Sequence, residues 1–121
     1  MEIVSRAVGV SMTNTNIEVI NLTPHAINFV VNDDIVTINP SGTLARVATT
    51  TEIVGSLNGI PITQTKFGEV EGLPDPTPGK VFLVSSLVAG RVPDREDVFI
   101  PNESVRDDEG RIIGCKSFGK I

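Results

Sequence analysis

The chain has 121 residues, a formal net charge of −5, and 40% hydrophobic residues. This length allows one domain with a modest core, and the hydrophobic content excludes a disordered polymer. The acidic balance disfavours binding to duplex nucleic acid or to an anionic membrane surface, because both need a basic face. It leaves open a pocket for one small anion, since the potential inside a pocket is local.

The few cysteine, histidine and aromatic residues narrow the class of protein further. Cys115 is the single cysteine and His25 the single histidine, which excludes an intrachain disulfide and a metal site built from such residues within one subunit. Trp and Tyr are absent, so Val, Ile and Leu must form a core that suits a pleated sheet. No apolar run approaches the roughly 20 residues of a membrane span, and no signal peptide is recognisable. We therefore expect a cytoplasmic protein without a cofactor.

The first half of the chain is predicted to form short strands separated by turns. Residues 1–16 have no clean hydrophobic period and are assigned to an N-terminal arm, whereas residues 17–121 form a single ligand-binding domain. Pro24 restricts the backbone on both sides of a bend, and Asn58-Gly59 is a strong hairpin signal. The strands predicted in this half are 17–21, 26–31, 35–38, 43–49, 53–54 and 60–65.

The second half begins with a predicted surface loop over residues 66–80, which contain three prolines and three glycines. A strand over 81–84 follows, and Ser85 is placed to cap a short helix over 86–91 that ends before Pro93. A turn at 107–110 then leads to a last strand over 111–118. The pattern predicts an α+β fold of predominantly antiparallel β-sheet, arranged as a meander, with one or two short helices in the C-terminal half.

His25 and Cys115 are the residues most able to act in catalysis, and neither has a recognisable partner. A general base needs a nucleophile or an acid at hydrogen-bonding distance, and the sequence offers none to His25. Cys115 lies in an apolar strand and is expected to be a small core residue. Ser41-Gly42 does not match a Walker loop, because a strand follows it instead of a helix. We assign no catalytic residue and no metal ligand.

Cationic, aromatic and amide side chains are the candidates for ligand binding. Strand alternation puts Leu44 and Arg46 on one face, so Arg46 either guards a sheet edge or faces a ligand. The acidic neighbours of Arg95 and Arg106 indicate either a solvated surface or arginines held rigid for an anion. An aromatic ring can stack on a base, an amide can form hydrogen bonds with the edge of the base, and guanidinium groups can bind phosphate. The candidate ligand-binding residues are Arg46, Arg95, Phe99, Asn102, Arg106 and Arg111.

Four segments carry a resemblance to a known family. They are NLTPHAI (21–27), PSGTLARV (40–47), GEVEGLPDPTPGKVFLVSSLVA (68–89) and REDVFIPNESVRDDEGRIIGCKSF (95–118). Together they resemble a family of short proteins encoded by bacteriophages and prophages, and within it the phage Thoeris anti-defence proteins of the first type. The likeness extends over residues 17–118, and the N-terminal arm falls outside it.

The resemblance implies a protein that binds a signal without enzymatic activity. Such a sponge holds a cyclic ADP-ribose isomer made by a host TIR-domain protein, in the cytoplasm of the infected bacterium, so that the Thoeris effector is not activated. Some family members also hold cyclic oligonucleotides at a separate site and assemble as dimers or hexamers, which implies a homo-oligomer. The family pocket uses arginines on the phosphates, and Arg46 and Arg106 lie in the shared ARV and VRD segments. Phe99 and Asn102 fit the aromatic and asparagine near the bases.

Two other functions remain open from the sequence. The first is a phage structural or protein-interaction module with no small-molecule ligand, in which a sheet edge and residues 1–16 join subunits. The second is a small hydrolase of nucleotide signals that uses Cys115 or His25. An intact ligand recovered from the protein would indicate a sponge, and a cleaved ligand would indicate a hydrolase. The absence of any retained ligand would favour the interaction module.

Overall fold

The computed structural model describes residues 16–121, so the predicted N-terminal arm lies, except for Asn16, outside the described residues. The described part contains eight strands and one helix. In chain order these are β1 (Glu18–Asn21), β2 (Ile27–Val31), β3 (Asp34–Ile38), β4 (Arg46–Leu57), β5 (Ile60–Glu71), β6 (Lys80–Leu83), α1 (Ser86–Arg91), β7 (Val98–Arg106) and β8 (Ile112–Gly119).

The strands form a six-stranded sheet, in the order β1-β6-β7-β8-β2-β3, and a separate two-stranded β4-β5 ribbon. The hairpin pairs β2-β3, β4-β5 and β7-β8 are antiparallel and contain most of the paired residues. This confirms an α+β fold that is predominantly antiparallel β-sheet with one short helix. The predicted simple meander is wrong, because β1-β6, β6-β7 and β2-β8 pair in parallel. Those partners are distant in sequence, and local turn signals do not report them.

The edge strands β1 and β3 meet at a buried asparagine. Asn21, at the end of β1, forms a parallel bridge with Pro40, just beyond β3. Its Nδ2 donates to the carbonyl oxygens of Ile38 at 3.0 Å and His25 at 2.8 Å. Its Oδ1 accepts from the backbone N–H and the hydroxyl of Thr23. The sheet therefore curls until its two edges touch, and the segment around Asn21 closes it.

Two apolar clusters lie on opposite faces of the six-stranded sheet, since successive residues of a strand point to opposite sides. Phe82 packs with Val88 and Ala89 of α1 in the first cluster. Leu83, the next residue, packs with Phe29 and Cys115 in the second. Burying one such apolar side chain contributes about 1.5–3 kcal/mol, whereas an exposed ion pair contributes about 0–1 kcal/mol. The two clusters therefore contribute most of the stability of the six-stranded sheet and of helix α1.

Helix α1 has the bounds and the cap that the sequence predicts. The Ser85 hydroxyl accepts a hydrogen bond from the Val88 N–H at 3.3 Å, and the chain leaves the helix before Pro93. Six residues are too few for a helix to be stable alone. Its stability comes from the buried side chains of Val88 and Ala89, which pack on the sheet. No helix in residues 16–121 has the length and hydropathy required to cross a membrane.

The β4-β5 ribbon is longer than the sequence predicts. Asn58 and Gly59 have φ of 49° and 81°, as a two-residue type I′ turn requires, so the predicted hairpin is confirmed. Its strands have 12 residues each, and β5 continues to Glu71, into the segment predicted to be a loop. Pairing with the first half of β4 keeps residues 66–71 extended, and the proline-rich loop is confined to residues 72–79.

Candidate functional site

A cavity of about 410 Å³ lies among strands β2, β7 and β8. It is lined by residues 26–28, 101–104 and 112–115. Strands β2 and β8 pair in parallel beside it, at Phe29 with Cys115. Gly114 is needed at this point, since a Cβ there would lie 2.8 Å from the Asn28 carbonyl oxygen. The volume falls within the range of small-molecule sites, roughly 300–1,000 Å³.

The cavity wall combines apolar side chains with amides, a hydroxyl and one carboxylate. Asn102, a predicted site residue, lines it together with Asn28 and Ser104. Glu103 also lines it and has a φ of 59°, which is rare for a residue other than glycine. Its Oε2 accepts a hydrogen bond from the Ser117 hydroxyl at 2.7 Å. Within residues 16–121, no lysine or arginine lines the cavity, so positive charge from this part of the chain must come from the border of the cavity.

Arg106 and Arg111 supply positive charge at the β7-β8 turn, next to the cavity. Arg106 pairs with the cavity residue Ile112, which directly follows Arg111. The Arg106 Nη1 donates to the Gly110 carbonyl oxygen at 2.6 Å. This bond uses one of five N–H donors of the guanidinium group. The structure therefore brings Asn102, Arg106 and Arg111 together on one hairpin.

Asp107 holds this turn in shape. Its Oδ1 accepts from the backbone N–H groups of Glu109 and Arg111, both at 2.9 Å, and its Oδ2 accepts from the Arg111 Nε at 3.0 Å. Arg111 also donates to Glu109 at 2.7 Å. The backbone hydrogen bond from Arg111, followed by that from Glu109, lowers the pKa of Asp107. The acidic side chains of the turn therefore hold Arg111, whereas Arg106, which the sequence analysis expects to be held by its acidic neighbours, is bonded to the Gly110 carbonyl oxygen instead.

Arg95 is used to hold the fold together. Its Nε and Nη2 donate to the two carboxylate oxygens of Asp97 at 2.8 and 2.9 Å, and Nη2 also donates to the Pro74 carbonyl oxygen. The side chains of Arg95 and Asp97 are only 21% and 17% exposed. The hydrogen bond from Arg95 holds the pKa of Asp97 below its ordinary value. Arg95 does not line the cavity.

Phe99 and Arg46, the remaining predicted residues, lie elsewhere. Phe99 is half-buried, and its ring meets that of Phe118 edge-on at a centroid distance of 5.9 Å. Arg46 begins β4 and forms an exposed ion pair with Glu71 at 3.4 Å. Neither residue lines the cavity. Arg46 lies on the ribbon, whereas Arg106 lies on the six-stranded sheet. The hydrophobic periodicity of one strand says which face a residue is on, but it does not say whether residues of two different sheets lie close together.

His25 and Cys115 are not arranged as a catalytic pair. His25 is exposed, and its carbonyl oxygen accepts from Asn21 and Thr23. Cys115 is buried, its Sγ donates to the Asn28 carbonyl oxygen at 3.6 Å, and burial raises the pKa of the thiol. A raised pKa disfavours the thiolate needed for nucleophilic attack. The structural role expected for Cys115 is confirmed by its burial.

The sequence analysis missed three polar residues of the cavity wall. They are Asn28, Glu103 and Ser104. Asn28 could have been selected from the sequence, because it is the single polar residue in the apolar run 26–31. No sequence pattern points to Glu103, because its position in the wall follows from a left-handed backbone conformation in the middle of β7.

Comparisons with known proteins identify no relative. No protein family matches the chain, no curated protein matches its sequence, and no solved structure matches its fold. Among residues 16–121, no group of three or more His, Cys, Asp or Glu side chains could hold a metal ion.

Proposed function

We propose that this protein binds and sequesters a cyclic nucleotide signal in the cavity between β2, β7 and β8, and releases it unchanged. The observation that carries the proposal is a cavity of about 410 Å³ whose wall contains the amides of Asn28 and Asn102. Amides can read the edge of a base, and the side chains of Ile27 and Ile112 offer apolar area to its face. The ligand is a cyclic ADP-ribose isomer made by a TIR-domain protein.

Phosphate binding is assigned to the hairpin beside the cavity. Arg106 and Arg111 are held by Gly110, Asp107 and Glu109, so their orientation is set before a ligand arrives. Such preorganisation lowers the entropic cost of binding. Guanidinium groups form strong charge-assisted hydrogen bonds with phosphate. Asp107, Asp108 and Glu109 lie on the same turn, so phosphate would be held by direct hydrogen bonds from the two arginines and not by a net positive field.

The biological role follows from the resemblance of the four segments to phage anti-defence proteins. In the cytoplasm of an infected bacterium, sequestration would keep the signal from the Thoeris effector. A sponge needs high affinity and no turnover. That requirement fits a site whose one thiol has a raised pKa and whose histidine lies outside the cavity wall.

A retention and release experiment tests this function. The purified protein is incubated with extract from cells whose Thoeris TIR enzyme has been triggered, then filtered out and heated, and the released molecules are examined by mass spectrometry. We expect an intact cyclic ADP-ribose isomer. Cleaved products would indicate an enzyme, and a signal that stays free in the filtrate would refute sequestration.

Substitution of the hairpin arginines locates the site. Arg106→Gln and Arg111→Gln should each weaken binding roughly ten- to hundredfold, the effect of losing a hydrogen bond to a charged group. Titration calorimetry with the released ligand gives the affinities. Arg46→Gln is the matched control, because Arg46 is an exposed, ion-paired arginine on the ribbon. Weaker binding in Arg46→Gln alone would move the site to the ribbon.

The second candidate function is a protein-interaction module without a small ligand. It is favoured by the β4-β5 ribbon, whose strands carry exposed apolar residues such as Ile53, Leu57 and Ile60. In that case the release experiment yields no nucleotide, and the ribbon is the region whose substitution abolishes function.

A further inference from the structure

Within residues 16–121, Glu103 is the one carboxylate of the cavity wall, and its backbone is left-handed in the middle of strand β7. The other residues with positive φ besides glycine in this part of the chain are Asn32, Asp33 and Asn58, all in hairpin turns. Asparagine and aspartate tolerate that conformation in turns, whereas no turn requires it of Glu103. Backbone strain of this kind is concentrated at binding and catalytic sites. The strain at Glu103 therefore calls for a function of its side chain.

The left-handed backbone turns the Glu103 carboxylate toward the face of Asn102. Asn102 pairs with Ser117, so these two side chains share a face, and in a regular strand the next residue would face the other way. The Glu103 Oε2 nevertheless accepts a hydrogen bond from the Ser117 hydroxyl at 2.7 Å. The carboxylate and the Asn102 amide are therefore brought to one side of the hairpin.

The surroundings of Glu103 restrict what can lie against it. An ionised carboxylate accepts hydrogen bonds and donates none, and the Ser117 hydroxyl occupies one position on Oε2. Because no lysine or arginine of residues 16–121 lines the cavity, a phosphate beside Glu103 would meet an uncompensated like charge. The part of a ligand that lies against Glu103 is therefore neutral and carries hydrogen-bond donors.

The neighbouring hydroxyl groups of a ribose fit this description. Their two O–H groups can donate to the two oxygens of one carboxylate, and an acidic side chain holds the ribose 2′-hydroxyl in dinucleotide-binding folds. The exocyclic amine of a base also donates, but the edge of a base presents acceptors beside it, which amides suit better because they both donate and accept. The Asn28 Oδ1 accepts from the Thr37 hydroxyl at 2.7 Å, which leaves the N–H donors of that amide for such acceptors.

We propose that Glu103 selects a ribose, by accepting hydrogen bonds from the 2′- and 3′-hydroxyls of a ribose bound in the cavity. This inference rests on the proposed function and adds the orientation of the ligand. The negative charge of Glu103 keeps phosphates out of the cavity, and they lie at Arg106 and Arg111 on the adjoining hairpin. The site therefore takes a nucleotide whose ribose retains both hydroxyls and discriminates against its deoxy counterpart.

Titration of the full-length, ¹⁵N-labelled protein with three nucleosides, followed by NMR, tests the ribose contact. Adenosine carries both hydroxyls and the exocyclic amine, 2′-deoxyadenosine lacks one hydroxyl, and inosine lacks the amine. We expect adenosine and inosine to shift the amide signals of residues 102–104 with similar affinity. We expect 2′-deoxyadenosine to bind about tenfold more weakly, the effect of losing a hydrogen bond to a charged group.

The possible failures of this titration have different meanings. Equal binding of adenosine and 2′-deoxyadenosine would refute the ribose contact and leave the cavity as a nucleotide site. A loss of affinity with inosine in place of 2′-deoxyadenosine would refute it too, and would assign Glu103 to the amine of the base. If none of the three nucleosides shifted the signals of residues 102–104, the cavity itself would be refuted as the site, and the proposed function with it.

Substitution of Glu103 shows whether this residue causes the preference. Glu103→Gly should fold, because glycine adopts positive φ without strain, and should bind adenosine and 2′-deoxyadenosine equally. Asp108→Gly is the matched control, since it removes an exposed carboxylate from the same hairpin, and it should keep the preference for adenosine. A preference that survives in Glu103→Gly would overturn the assignment.

Adenosine monophosphate tests the orientation of the ligand. Its phosphate should shift the Nε–H signals of Arg106 and Arg111, which adenosine leaves in place. If the monophosphate left both arginine signals unmoved, the phosphate would not lie at the hairpin turn, and the proposed orientation would be wrong.

Discussion

At the residue scale, the acidic neighbours of an arginine decide its role. Asp97 lies two residues after Arg95 and accepts two hydrogen bonds from it, and the pair has little exposure to water. Asp107 and Glu109 hold Arg111 at an exposed turn, where donors of its guanidinium group still face solvent. The same combination of arginine and acid therefore stabilises the fold in one place and orients a candidate ligand contact in another.

The Asp97 carboxylate predicts a specific dependence of stability on pH. The hydrogen bond from Arg95 lowers the pKa of Asp97, while burial opposes this. A carboxylate with a lowered pKa in the folded state stabilises the protein above its unfolded pKa of about 3.9, and that contribution is lost as pH falls through the folded pKa. Asp97→Asn should therefore be less stable than the unchanged protein at neutral pH, by about 1.5–3 kcal/mol.

Urea unfolding at a series of pH values checks this prediction. The difference between Asp97→Asn and the unchanged protein should shrink as pH falls below about 4, because the unfolded chain then binds a proton at Asp97 before the native state does, and it should be lost once pH passes the lowered folded-state pKa. Asp94→Asn is the control, because Asp94 is an exposed carboxylate in the same charged run. A difference that stays constant down to acid pH would show that the ion pair does not contribute as argued.

At the element scale, the ribbon shows how far local signals extend. Asn58-Gly59 predicts the turn and is observed there, because only residues that tolerate positive φ fit a type I′ turn. The length of the strands was not predicted, since Gly68 and the prolines after it favour a loop. Pairing of residues 66–71 with β4 overrides that preference. The exit of the chain from the ribbon depends on Gly72.

Gly72→Ala should destabilise the base of the ribbon strongly. Gly72 has a φ of 83°, and a Cβ there would overlap the Leu44 carbonyl oxygen. The backbone strain and the steric overlap together should cost about 2–5 kcal/mol. Gly79 has a similar φ of 78° with nothing within 4 Å of its Cβ position. Gly79→Ala should therefore cost only the strain, about 1–2 kcal/mol, and equal costs in thermal unfolding would contradict the overlap.

At the scale of the whole molecule, one buried side chain closes the six-stranded sheet. Asn21 is 1% exposed and joins β1 to the end of β3 through the Ile38 carbonyl oxygen. It also fixes the following bend through Thr23 and His25. A buried polar group without a partner is costly. Removing this amide takes the side-chain donor from the Ile38 carbonyl oxygen and the acceptor from the Thr23 N–H, whereas the His25 carbonyl oxygen keeps its hydrogen bond from the Thr23 hydroxyl.

Asn21→Ala should reduce the free energy of unfolding by about 2–4 kcal/mol, through unsatisfied partners. Asn21→Asp should cost more, because a carboxylate cannot donate to the carbonyl oxygens of Ile38 and His25 and would be charged in a buried place. Asn39→Ala, at an exposed asparagine nearby, is the control. Urea unfolding measures all three variants. If Asn21→Ala matched the control, the contact between β1 and β3 would not be a determinant of stability.

The sequence by itself determined the features that depend on neighbouring residues. These are the Asn58-Gly59 turn, the Ser85 cap of α1 and the strand-rich α+β class, all governed by backbone preferences and short-range hydrogen bonds. The tertiary structure decided which distant segments meet. It paired β1 with β6 and β2 with β8, and it put Arg46 on the ribbon and Arg106 on the six-stranded sheet. The reason is physical: these arrangements depend on packing and hydrogen bonds between segments tens of residues apart, which no local pattern encodes.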